Sequence, residues 1–235
     1  VAEQIKRVKY KPGTTIEQRF KQTAKLLKEL IEDGLRDELV RRKAVEIVNQ
    51  AGIRGHDEIG EIRAICKWVQ HNLNYRKDPI YVEYFHSARR LIKDAENGRS
   101  AADCDDFVIV AASLLGSLGY ETGAIIVDSN GDGLLNHVMV VTRTFAPTPQ
   151  FGSQWIPCEL IFTDFELGES VNISQVYPLI ADKNTTRIPI FDSNIAGYGS
   201  APPIRSMGGG QMPPLSLGAI VKSHPLSGFI GRLIR

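Results

Sequence analysis

The chain has 235 residues, 43% of them hydrophobic and 23% charged, a composition that fits a globular domain with extensions and excludes a largely disordered chain. With 28 basic and 27 acidic residues its formal net charge is +1, so no global field selects nucleic acid or an anionic membrane as partner. No apolar run reaches the roughly 18 residues of a membrane span, no signal-peptide core opens the chain, and the three cysteines (66, 104 and 158) form neither a disulfide framework nor a zinc motif.

In chain order, residues 1–13 read as a basic, solvated arm carrying Lys6, Arg7, Lys9 and Lys11. Thr14 and Glu17 have capping-box spacing, which predicts a helix to about residue 33 with Leu27, Leu30 and Ile31 on its buried face. A second helix over 36–50 buries Leu39, Val40, Ala44 and Ile47 and stops at Gly52. Together, residues 14–55 make a helical scaffold without chemistry of its own. A third helix over 58–73 places Ile62, Ile65, Cys66, Val69 and Leu73 on one stripe, so Cys66 is a core residue. A turn follows at 74–79. Residues 80–97 begin aromatic and end as a short helix, with Tyr81, Tyr84, Phe85 and His86 placed to line a cleft or to cover the core.

The segment 98–124 organises the rest. After a polar lead-in, Phe107, Val108, Val110, Ala111, Leu114, Leu115 and Leu118 recur at helical spacing, and Gly119 sits where a helix C′ residue would. Cys104 therefore lies at the first turn of a buried helix, where unpaired N–H groups and the helix dipole stabilise a thiolate. Asp103, Asp105 and Asp106 suit the same dipole as cap and first-turn acids, and as neighbouring carboxylates they oppose that thiolate.

Residues 122–128 read as a strand. The following D-S-N-G-D-G begins as a calcium loop does, but the loop's twelfth position is Met139, and Asn-Gly and Asp-Gly are hairpin signals, so a turn is expected. His137 opens the return strand. A Pro-containing loop leads to a third strand over 155–163 that carries Trp155, a structural Cys158 and Glu159. From residue 181 periodicity fades into a Gly/Pro/Ser-rich tail, and residues 226–235 regain apolar character as a docking arm for a partner subunit or a hook onto the same domain.

A cysteine at a helix start, a histidine at a strand start and an acid on the next strand are the parts of a nucleophilic triad. The order D-C-D-D-F, then His137, then W-I-P-C-E resembles the transglutaminase-like superfamily, a papain-like cysteine-nucleophile fold. Residues 62–79, ending Y-R-K-D-P, resemble the segment that precedes the cysteine in phage-encoded members. The resemblance covers roughly residues 14–165. It implies an α+β fold over 56–180: a nucleophile helix packed on an antiparallel sheet, with the N-terminal helices and an extended tail added.

By the same resemblance Cys104 is the nucleophile, His137 the base, and Glu159 the third member. The family has Asp at that register, so Asp164 is the rival. Tyr75 is a candidate oxyanion donor, and Tyr75, Tyr84 and Trp155 are the expected substrate-side residues. The implied activity is acyl transfer from a peptide or carboxamide to water or an amine, on a protein or peptide substrate and without metal or organic cofactor. The other reading is a virion structural protein whose termini bind neighbouring subunits. It places the chain in host cytoplasm during assembly and then in the virion.

Overall fold

The computed structural model describes residues 4–11, 13–78, 82–129, 137–171 and 176–179. The tail, its docking arm and most of the D-S-N-G-D-G turn lie outside the described residues. Helix α1 (Ile16–Leu35) starts one residue later than the sequence pattern suggests. Thr15 is the N-cap and Gln18 closes the capping box, because Thr14 is spent on a turn that bonds its hydroxyl to the Lys11 carbonyl at 2.8 Å. Helix α2 (Glu38–Gln50) is capped by Asp37, and α3 (Glu58–Asn72) by Asp57.

One expectation is corrected upstream of the cysteine. The arm is not simply solvated: Ile5–Val8 forms strand β1, antiparallel to β2 (Glu83–His86), with Ile5 opposite His86. The aromatic stretch is therefore a strand leading into helix α4 (Ala88–Glu96). The signal was present, since Val82, Tyr84 and Phe85 are strand formers. Missing from the sequence was any hint that its partner is the basic N-terminus.

Helix α5 (Cys104–Ser117) is the axis of the molecule, with every residue except Gly116 buried. Helices α1 to α4 pack around it. On its remaining side lies a four-stranded antiparallel sheet of order β5-β4-β3-β6, formed by β3 (Glu121–Val127), β4 (His137–Arg143), β5 (Ile156–Cys158) and β6 (Val176–Leu179). Ala124, Ile126, Val138 and Val140 face α5 and join one core with Leu27, Leu30, Val40 and Ile62, so residues 14–55 share their interior with the rest. The alternate residues Ile125, Val127, Met139 and Val141 form a second cluster on the far face. The predicted third strand is only three residues long; the chain turns away after Cys158.

Close approach of α1 to α5 depends on Gly34. A Cβ there would sit 2.1 Å from Ser113 Oγ and 2.6 Å from Ser113 Cβ. Gly34→Ala is expected to lower the urea midpoint, because overpacking costs about 1–3 kcal/mol while alanine gains at most ~1 kcal/mol in helix propensity. An unchanged or higher midpoint would mean the two helices separate without penalty. A buried ion pair fixes α2 to α4: Arg89 Nε and a terminal nitrogen bond Asp37 Oδ2 and Oδ1 at 2.6 and 2.7 Å.

Candidate active site

Asp103 caps α5, its Oδ1 accepting the Asp106 N–H at 3.3 Å, and Cys104 is the first helical residue. The Cys104 side chain is 1% exposed. Its thiol donates to Asp105 Oδ1 at 3.7 Å, and its sulfur receives the backbone N–H of Val138, the residue next to His137. The expectation that the helix tip lowers this thiol's pKa is corrected. Burial pushes it well above the ordinary value, Asp105 and Asp103 push the same way, and the Val138 N–H opposes them without prevailing.

His137 opens β4 and is buried, as is Glu159, and His137 Nε2 lies 2.8 Å from Glu159 Oε2. The register explains the meeting. Val140 pairs with Cys158, so Glu159, one residue on, shares a sheet face with Met139 and His137 and reaches the imidazole diagonally. The other oxygen, Oε1, accepts the backbone N–H groups of Leu160 at 3.0 Å and Ile161 at 3.1 Å. Gln70 of α3 holds the same segment by donating to the carbonyls of Glu159 at 2.8 Å and Phe165 at 3.0 Å. Sequence reading missed Gln70, although it stands one turn beyond Cys66 beside the buried stripe of α3.

The other candidates are placed less uniformly. Asp164 is exposed in the turn after β5, so of the two rival acids Glu159 is the one on His137. Tyr75 forms a parallel bridge with Ala102 beside the helix tip, and its hydroxyl is pushed up by burial, then by Cys104 and Asp103. Tyr84 meets the site through its backbone, its N–H bonding Asp78 Oδ2, while its half-buried ring is on the strand face opposite fully buried Phe85. The substrate-side role of Trp155 is corrected. It is 3% exposed and packed with Ile125, Val127, Met139 and Val141, with the Arg143 guanidinium 5.0 Å over its ring. Interior packing and a cation–π contact account for it.

Around the helix tip the fold gathers acids whose meeting the sequence did not disclose. Asp106 accepts both the His86 N–H at 2.9 Å and its ring Nδ1 at 2.8 Å. Burial lowers the His86 pKa, but the Asp106 bond outweighs it and the net shift is upward. Burial raises Glu83 to about 7, with Asp78 adding to it, and raises Asp78 to about 6. Asp103 and Asp105 are likewise held well above the carboxylate range by burial and by one another's neighbours. Cys66 and Cys158 are buried free thiols, hydrogen-bonded to each other away from Cys104.

No family model and no curated protein matches the chain. Among solved structures, a proposed cysteine protease from Cytophaga hutchinsonii matches with a TM-score of 0.40 and 14% identity over 61% of this chain. The match spans 41% of that protein's chain. Among the described residues, no helix is long and apolar enough to cross a membrane.

Proposed function

We propose that the protein is a cysteine-nucleophile hydrolase or acyltransferase of the transglutaminase-like, papain-like kind, acting on peptide or carboxamide bonds. The buried 2.8 Å contact between His137 Nε2 and Glu159 Oε2, at the strand end that bonds the Cys104 sulfur, carries this reading. With Glu159 accepting at Nε2, the Nδ1 lone pair of His137 is left as the basic site. His137 takes the thiol proton as sulfur attacks the carbonyl carbon, forming a C–S bond and an oxyanion. The Cys104 N–H, at the helix position that lacks an intrahelical acceptor, stabilises that oxyanion. Collapse breaks the C–N bond, and His137 returns its proton to the departing amine. Water or a second amine then releases the acyl group from the thioester.

A second reading treats the same arrangement as a structural scaffold, of the virion kind the sequence resemblance implies. The burial of the sulfur and its raised pKa favour it. Alkylation with iodoacetamide at neutral pH, mapped by mass spectrometry, separates the two. The enzyme reading expects Cys104 to label faster than Cys66 and Cys158, and His137→Ala to slow it at least about a hundredfold, the low end of the usual range for a general base. Equal, slow labelling of all three cysteines, unaffected by His137→Ala, would leave only the scaffold.

A further inference from the structure

We propose that Asp78, Glu83 and Asp103 form a binding site for a hard divalent cation of calcium's size, at the N-terminus of the helix that carries Cys104. The sequence reading expected no metal. One carboxylate oxygen from each residue lies within 4.8 Å of the other two. Oxygens sharing one calcium ion at about 2.4 Å fall inside that bound. Three protein carboxylates suit calcium better than magnesium, which keeps several waters and is held through one or two carboxylates.

The donors come from three separated places: the turn after α3, the first residue of β2, and the cap of α5. Their meeting is a product of the tertiary fold rather than of a loop motif. Asp103 is 2% exposed, and while its Oδ1 serves the helix cap, its Oδ2 is buried without a hydrogen-bond donor. Glu83 Oε2 is in the same condition. Among the described residues no N–H or O–H satisfies these two buried acceptors, and a cation or a shared proton would complete them.

Charge points the same way. Asp105 and Asp106 stand behind the three donors, and among the described residues Arg19 acts on Glu83 and His86 on Asp106 and Asp78 as the opposing cations. A helix N-terminus repels a cation with roughly half a unit charge, far less than the attraction of three carboxylates. A bound ion would fasten the β2 segment to α5. The site is independent of the chemistry proposed for Cys104.

Titration calorimetry on the full chain, freed of metal with a chelator and then dialysed, tests this with CaCl₂ and MgCl₂. Calcium is expected to bind one per chain with a rise in Tm, and magnesium at least about tenfold more weakly because of its smaller, stricter octahedron. Asp78→Asn combined with Glu83→Gln should lose the heat and the Tm rise. Both changes keep shape and relieve repulsion. Should circular dichroism show the pair unfolded, Glu83→Gln alone reads the same loss. No calcium binding to the wild type, or binding unchanged in a folded variant, would overturn the site, and equal affinity for magnesium would overturn its size.

Discussion

Glu159→Ala is expected to cost several kcal/mol of stability, because it leaves donors without their acceptor at about 1–3 kcal/mol each. The side chain is 2% exposed and satisfies three donors at once: the His137 ring and the N–H groups of Leu160 and Ile161. Alanine strands all three away from water, each at a desolvation cost of about 1–3 kcal/mol. Glu159→Gln distinguishes fold from chemistry. Its carbonyl oxygen still serves the two amides, so the urea midpoint should move little. Its NH₂, however, donates, which forces the imidazole to carry its proton on Nδ1 and removes the lone pair that the proposed mechanism uses as its base. By analogy with other triads the loss in Cys104 reactivity is about 10³–10⁴-fold. A Gln variant as stable and as reactive as the wild type would remove Glu159 from the mechanism.

The second large effect concerns pH. In the presence of a chelator, the fold should be markedly more stable at pH 5 than at pH 8. Glu83 goes from an ordinary 4.5 to about 7, and Asp78 from 3.8 to about 6, burial being the leading cause in both. A carboxyl raised in the folded state leaves stability untouched below its unfolded pKa. As pH climbs toward the folded value, the unfolded chain ionises first and gains. At about 1.4 kcal/mol per pH unit, Glu83 alone removes roughly 3 kcal/mol between pH 4.5 and 7.

His86 adds to the slope. Its folded pKa is raised, so its contribution is full below the unfolded value near 6.5 and fades as pH passes the folded one. Asp37 acts at the other end. Burial raises it, but the Arg89 hydrogen bond prevails and the net direction is down, so its stabilisation is lost only as pH falls through its folded value. Urea midpoints across pH 5–8 should therefore decline for the wild type and flatten for Glu83→Gln. A flat or rising wild-type profile would contradict the burial of these acids.

The helices were legible because their signals are local. The stripe Ile62, Ile65, Cys66 and Val69, and the apolar run after Cys104, needed only a 3.6-residue period, and the cap at Asp103 needed one residue type. The site residues 104, 137 and 159 were legible as an order along the chain. The meeting of 137 with 159 depends on the register of β4 with β5, which the sequence does not disclose. Strand β1 was hidden by its basic residues Lys6 and Arg7, since a four-residue edge strand with outward charges has the composition of a loop. The Asp78, Glu83 and Asp103 cluster was hidden by distance along the chain. The thiol's raised pKa was misjudged because helix polarity is local and burial is not; the opposing acids Asp105 and Asp103 stood in view beside the cysteine, and Glu83 of β2 adds less.

Glu159 is bonded by the amides of the two residues that directly follow it, so one carboxylate both locks the reversal that ends β5 and faces the imidazole. An aspartate, one methylene shorter, would have to give up one task or the other. On the chemistry proposed for Cys104 this makes an interlock: the imidazole would be aligned only in molecules whose chain has already turned back after β5. A nascent or partly opened chain would then carry an idle sulfur.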